Sequence, residues 1–201
     1  MTGGANAAAG NGAAVGNAEL RAILDEVGAY GARISGRELK AAAEAIVRAR
    51  RVFVAGAGRT GFASRAFANR MMHLGKPAFF VGETTTPSVG EGDVLVVGSG
   101  SGTTASLVAA VEKAKGIGVE VVTLTMFPDH RIGALADVVV AVPGVTPKRA
   151  PGEAQSAESI QPMGSLFEQL CWLAYDALVL ILMPLLGQTG ESMFERHANL
   201  E

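Results

Sequence analysis

Five short apolar runs punctuate the chain: RVFVAG (51–56), PAFFVG (77–82), DVLVVG (93–98), EVVTLT (120–125) and DVVVAV (137–142). Within each, apolar residues are continuous. A strand covered on one face would alternate apolar with polar, so continuity predicts strands buried on both faces of a parallel sheet. Between the runs the period becomes helical. In 60–74 it sets Ala63, Ala66, Phe67, Met71 and Leu74 on one face, and 103–116 reads the same way. Two amphipathic helices precede the first strand, at 19–34 and 36–49, with Leu20, Ile23, Leu24 and Val27 at helical spacing. Strand–helix alternation over five strands predicts an α/β fold. It is a three-layer, doubly wound, flavodoxin-like parallel sheet with helical N- and C-terminal extensions.

Two stretches depart from this rhythm. PGVTPKRAPGEAQSAESIQP (143–162) is a Pro/Gly-rich loop of a length that goes with function. From Leu166 to Leu186 the chain is apolar enough to resemble a membrane span. Glu168, Gln169, Asp176 and Pro184 interrupt it, and acids inside a membrane are costly. It reads as a helix buried in a core or a subunit interface, and no membrane partner is expected. A shorter helix carrying ESMFERHANLE follows.

Composition narrows the function classes. Residues 1–18 are a low-complexity tail of small residues, lacking the cationic start and apolar run of a signal peptide. A cytoplasmic location is expected. A net charge of −2 makes no electrostatic case for nucleic acid. The single cysteine, Cys171, excludes an internal disulfide and a cysteine-ligated structural zinc. Aromatics are 5% and hydrophobic residues 49%, so the core must be built from Ala, Val, Leu and Ile. With 201 residues, the chain from 19 to 201 reads as one domain.

Candidate chemistry lies in two glycine-rich loops. Gly56-Ala57-Gly58-Arg59-Thr60-Gly61 spells the dinucleotide fingerprint, and Glu83 stands 22 residues after Gly61, where an acid for the ribose is expected. That loop alone leaves NAD open. The second loop, GSGSGTT from Gly98 to Thr104, brings Ser99, Gly100, Ser101, Thr103 and Thr104 to the start of the next helix. Backbone amides and short hydroxyls at a helix N-terminus suit one phosphate dianion. One hydroxyl is expected to cap that helix, but four within six residues exceed the need. A dehydrogenase would also require a catalytic domain, for which there is no room. The two loops therefore predict a phosphorylated small molecule.

The order GAGRTG…MMHLGKPAFFVGETTTP…EGDVLVVGSGSGTT…QPMGSLFEQ…RHANLE resembles a sugar-isomerase (SIS) domain over about residues 20–201. GSLFEQ and RHANLE are similar, more narrowly, to the 6-phospho-3-hexuloisomerases. The resemblance implies isomerisation of D-arabino-hex-3-ulose 6-phosphate to D-fructose 6-phosphate in the ribulose monophosphate pathway of formaldehyde assimilation. It implies no cofactor and no metal, a homotetramer with sites at subunit interfaces, and work coupled to 3-hexulose-6-phosphate synthase. The other reading is a SIS sensor module that binds a sugar phosphate without turnover, but such modules usually accompany a DNA-binding domain and none is legible here. In the similar arabinose-5-phosphate isomerases an acid stands where this chain has Thr103, and a lysine where it has Arg59. Arg59 then serves phosphate or hydroxyl binding, together with Gly58 and Thr60.

Moving a carbonyl from C3 to C2 requires a base for the C2 proton and a second group for the oxygens. Glu168 precedes Cys171, Trp172 and Tyr175 on one helical face, where poor solvation would raise a carboxylate pKa. Ser165-Leu-Phe-Glu168 equally spells a capping box, and spacing leaves the two readings even. The resemblance tips the choice to Glu168 as base, with Ser165 beside the substrate. It also implies that His197 reaches into a neighbour's site as the oxygen proton shuttle. His73, at a helix C-terminus, is the reserve for that role. Glu83 is placed either on substrate hydroxyls or on a strand-end turn. His130 reads as a surface turn residue.

Overall fold

The computed structural model describes residues 17–148, 152 and 155–200. Two helices, α1 (Ala18–Gly31) and α2 (Gly36–Arg48), lead into β1 (Val52–Gly56). Then follow α3 (Gly58–His73), β2 (Ala78–Phe80), β3 (Val94–Gly98), α4 (Ala105–Gly116), β4 (Glu120–Thr125), α5 (Arg131–Leu135) and β5 (Val138–Ala141). The chain closes with α6 (Ser165–Leu185) and α7 (Gly190–Phe194). All five expected strands form one parallel sheet in the order β2-β1-β3-β4-β5. Of the expected tail 1–18, residues 1–16 lie outside the described residues. Asn17 caps α1 by accepting a hydrogen bond from the Leu20 amide at 2.7 Å, and Ala18 begins the helix, so the folded chain starts slightly earlier than expected.

Strand geometry explains the continuous apolar runs. Val52 and Val54 of β1, Val94 and Val96 of β3, and Val122 and Leu124 of β4 point into a core shared with α2, α3 and α6. Their neighbours Phe53, Ala55, Leu95, Val97 and Val121 enter a smaller core with Leu107 and Val111 of α4 and Ile132 of α5. Successive side chains alternate between faces, and both faces are covered. The larger core has helix α6 at its centre, packed on α3, α2 and α1.

That placement accounts for the apolar C-terminal helix. Leu166, Phe167, Leu170, Cys171, Ala174, Tyr175, Leu178 and Leu182 are buried. Alone among the described helices it has the length and hydropathy to cross a membrane, yet half of it is covered by the protein. Its outer side exposes Trp172, Leu173 and Leu180. Helix α1 differs from expectation in a related way. Its apolar spacing is real, but none of its residues is buried, and Leu20 and Leu24 are more than half exposed.

At the amino ends of the strands, opposite the glycine loops, charge holds the sheet. The Asp93 carboxylate, fully buried at the start of β3, accepts hydrogen bonds from Arg51 (2.6 and 3.0 Å), Arg50 (3.3 Å) and the Gly90 amide (2.9 Å). Burial alone would push this carboxyl up, but those donors outweigh it and hold it below its ordinary 3.8. A depressed folded-state value contributes stability fully above the unfolded value and loses it as pH falls through the folded one. Asp93→Asn is therefore expected to cost about 2 kcal/mol at pH 7, the worth of its charge-assisted bonds. Urea midpoints of wild type and variant should converge between pH 4 and pH 2. An equal gap at pH 7 and pH 2 would show that the clasp is not electrostatic.

Candidate active site

Strands β1 and β3 are neighbours in register from Val52–Val94 to Gly56–Gly98, so the two glycine loops leave the sheet side by side. This is the switch point of the 2-1-3-4-5 order, where ligands of such sheets bind. The fingerprint glycines have a packing cause. A Cβ on Gly61 would lie 2.9 Å from the Gly56 carbonyl oxygen, and one on Gly56 would lie 2.6 Å from Ser64 Oγ. Helix α3 can start this close to β1 only without those side chains. The motif thus records a tight strand–helix turn, which a sugar-phosphate site needs as much as a dinucleotide site does.

A cavity of about 240 Å³ lies between the loops, below the usual size range of ligand pockets. It brings together Gly58, Arg59, Thr60, Ser99, Gly100, Ser101, Thr104 and Glu168. Against Gly56 and Gly98 the polar groups are fixed: Ser64 Oγ lies 3.2 Å from Tyr175 Oη and donates to the Thr60 carbonyl at 3.0 Å. Burial pushes the Cys171 thiol up to about 12 and raises Tyr175 well above its ordinary value. Neither ionises near neutral pH, and both act as structure.

Helix α4 is not capped by a hydroxyl, contrary to expectation. Thr104 is the N-cap residue and makes no side-chain cap bond. Ser101 Oγ accepts weakly from Thr103, from its amide at 3.4 Å and its hydroxyl at 3.3 Å. Ser99 Oγ is buried and has no hydrogen-bond partner among the described residues. A buried hydroxyl left unpaired is costly. Ser99 and Gly102 donate their amides to the Leu124 and Ser99 carbonyls, so the Ser99 hydroxyl and the first amides of α4 are what the loop offers an anion.

The capping box at Glu168 also does not form. Gly164 is the N-cap residue of α6, it makes no side-chain cap bond, and Ser165 is the first helical residue. Glu168 instead crosses to the first loop, where Arg59 Nε donates to Oε2 at 2.5 Å. The carboxylate is one-fifth exposed, and its hydrogen-bond partner is the Arg59 guanidinium.

Several predicted residues lie outside the cavity. Thr103 is exposed, and neither it nor Ser165 lines the wall. Glu83 pairs with Arg65, whose guanidinium lies 3.8 Å from the centre of the Phe80 ring. His73 is a helix length away: α3 begins at the cavity and ends at His73, about 22 Å along its axis. There His73 is buried and stacks on His197, with ring centres 5.6 Å apart. Burial first, then the charges of Arg70 and His197, lowers the His73 pKa. Arg196 ties the terminal segment to this place by donating to the His73 carbonyl at 3.2 Å. Within one chain, therefore, neither histidine meets Glu168.

Other contributors were not legible in the sequence. His130 is half-buried behind the second loop, its ring stacked on Phe127. Its Nδ1 lies 2.7 Å from the Ser101 carbonyl, which can only accept, so Nδ1 carries a proton. It supports the loop rather than an open surface turn. From the long Pro/Gly-rich loop, Thr146, Pro147 and Lys148 line the cavity, joined by Met163, Gly164 and Phe167. Met163 has a φ of 59°, the one positive value for a non-glycine among the described residues. Among those residues no group of three or more His, Cys, Asp and Glu side chains gathers as a metal would require.

Residues 45–172 match the SIS domain family. The chain is 45% identical over 179 residues to a 3-hexulose-6-phosphate isomerase of Bacillus subtilis, covering 89% of this chain and 95% of the relative. It is 40% identical over 182 residues to a 3-hexulose-6-phosphate isomerase of Mycobacterium gastri, covering 90% and 89%. Among solved structures it is similar to a hypothetical protein of Methanococcus jannaschii, with a TM-score of 0.77, 28% identity and coverage of 91% and 99%. That structure was taken to infer a molecular function of 3-hexulose-6-phosphate isomerase.

The unpaired Ser99 hydroxyl generates a test with two opposite signs. Ser99→Ala removes a buried group that costs about 1–3 kcal/mol when unsatisfied. Melting temperature without ligand is expected to hold or rise. The stabilisation by added inorganic phosphate should shrink, because ligand stabilises only through its affinity for the folded state. A lower melting temperature with unchanged phosphate stabilisation would show that the hydroxyl serves the fold.

Proposed function

The chain belongs to the SIS-domain family, among its 3-hexulose-6-phosphate isomerases, and on that premise we propose that this cavity interconverts D-arabino-hex-3-ulose 6-phosphate and D-fructose 6-phosphate. The observation that carries the assignment of roles is Glu168, the single carboxylate among the described residues in the wall of a cavity that contains a helix N-terminus with a spare hydroxyl. The phosphate rests on Ser99, Gly100, Ser101 and Thr104, and the sugar extends toward Gly58, Arg59, Thr60 and Glu168.

With O6 esterified, the 3-ketone has no hydroxyl placed to close a five- or six-membered ring. The substrate is open-chain. Glu168 removes the C2 proton, a cis-enediol forms, and the same carboxyl returns a proton to C3 on the same face. The carbonyl thereby moves to C2. Arg59 fixes the carboxylate through Nε and keeps its terminal nitrogens for sugar oxygens. Proton transfer between O2 and O3 falls to His197 of a neighbouring copy, since within its own chain that ring is far from the cavity. His73, buried at the end of α3, has no part in this mechanism.

Assembly belongs to the same reading. An apolar groove of about 650 Å³ runs between α1, α3 and α6, with Leu24, Phe62, Trp172 and Leu173 on its walls, and Arg59 and Glu168 line it as well as the cavity. Such a surface supports a homotetramer whose interface abuts the site. The enzyme is cytoplasmic and uses the product of 3-hexulose-6-phosphate synthase in formaldehyde assimilation.

Glu168→Gln tests the base. The Arg59 side of the ion pair is exposed, so the pair is worth about 0–1 kcal/mol, and there is no capping box to lose, so stability should stay near wild type. Turnover, followed by a coupled assay for fructose 6-phosphate, should fall by about 10²–10⁴-fold. Retained activity would remove Glu168 from the chemistry. Mixing tests His197: Glu168→Gln and His197→Ala are each expected to be inactive alone. Co-assembled oligomers should regain activity at sites that hold both native groups. No recovery in demonstrably mixed oligomers would place both residues within one chain.

A further inference from the structure

As the roles above distribute them, the charges of the described residues around the cavity leave the ligand's phosphate without a full positive counter-charge. Among the described residues three charged ones line the cavity: Arg59, Glu168 and Lys148. Arg59 and Glu168 neutralise one another at 2.5 Å. The serine and threonine hydroxyls are neutral, so a phosphate dianion on the second loop would be left with backbone amides and a partial helix charge. Lys148 is exposed, and its ammonium has no ion pair or hydrogen bond among the described residues.

The segment carrying Lys148 is built rather than loose. Gly144 donates its amide to Ser156 Oγ at 3.1 Å, and that hydroxyl donates back to the Gly144 carbonyl at 3.1 Å. The Thr146 amide donates to Gln155 Oε1 at 2.8 Å, and buried Thr146 Oγ1 accepts from the Lys148 amide at 3.1 Å. Gly144 cannot carry a side chain, because a Cβ there would lie 2.5 Å from Phe167 Cβ and 2.8 Å from Met126 Sδ. These contacts fix the backbone at Lys148 against the cavity wall and leave its four-carbon stem to swing. A compact ammonium on a flexible stem suits a phosphate, which needs a point charge and no fixed fork.

Accepting the reading of the cavity as a sugar-phosphate site, we infer that Lys148 is the counter-charge for the ligand's phosphate group, reaching it from the Thr146–Lys148 part of the cavity wall. Arg59 is thereby released from phosphate binding to hold Glu168.

The test compares Lys148→Met, Lys148→Arg and, as a control for lost surface charge, Lys40→Met on the outer face of α2. Calorimetry with fructose 6-phosphate and with inorganic phosphate reads binding without turnover. Losing one charge-assisted contact should weaken both ligands by about 10- to 100-fold in Lys148→Met. Lys148→Arg should restore most of that affinity, and Lys40→Met should match wild type. The affinity of wild type, but not of Lys148→Met, should fall steeply with added salt. Equal dissociation constants for wild type and Lys148→Met, or the same loss in Lys40→Met, would overturn the inference. If wild type binds phosphate through Lys148 but fails to isomerise the 3-hexulose 6-phosphate, the assigned reaction falls and the counter-charge stands.

Discussion

The site depends on the closeness of Gly56 and Gly98, register partners at the carboxyl ends of β1 and β3. Hydrogen is the only substituent either position accepts. A Cβ on Gly98 would come within 2.8 Å of Ser64 Oγ and of Tyr175 Oη, and one on Gly56 within 2.6 Å of Ser64 Oγ. Ser64 therefore sits against both strands, and Tyr175 reaches it from α6. Tyr175 is itself held by stacking on Phe67, with ring centres 4.5 Å apart. One small contact region thus sets the start of α3, the path of the second loop and the position of α6. Through α6 it also sets Glu168, seven residues and about two turns before Tyr175.

Charge is divided between the two ends of the sheet. At the amino ends carboxylates are consumed by structure: Asp93 by Arg50 and Arg51, and Asp137 by Lys115 and the Val121 amide. In each case burial pushes the carboxyl up and the donors more than reverse it, so both remain charged at neutral pH. At the carboxyl ends the polar groups of the second loop are left underused, with Ser99 unpaired and Thr104 making no cap bond. Saturated hydrogen bonding at one end and spare capacity at the other is how a rigid sheet can present a polar site without weakening itself.

What one chain does not bring together is equally physical. An α-helix rises 1.5 Å per residue, so the length of α3 alone separates His73 and His197 from the cavity. Meanwhile α1 buries none of its residues, and Phe62, Trp172 and Leu173 face outward beside the Arg59–Glu168 pair. That apolar surface next to the cavity supports the proposed assembly, in which a neighbouring copy supplies His197.

The sequence by itself determined the strands, the fold class and the two loops, because burial on both faces enforces continuous apolar runs and close strand–helix turns enforce glycine. It also marked Glu168, but without deciding between cap and site, since Ser-x-x-Glu spacing is local and says nothing of what lies across the cavity. Only the tertiary structure excluded the cap. It placed Gly164 at the cap, turned Glu168 to Arg59 from 109 residues away, left Ser99 without a partner and set His130 behind Ser101. It likewise separated Glu83, His73 and His197 from the cavity, and it raised Lys148 from an unremarked loop position to the one unpaired charge on its wall among the described residues. Side-chain partners across such distances are chosen by packing of the whole domain, and no periodicity in the chain encodes them.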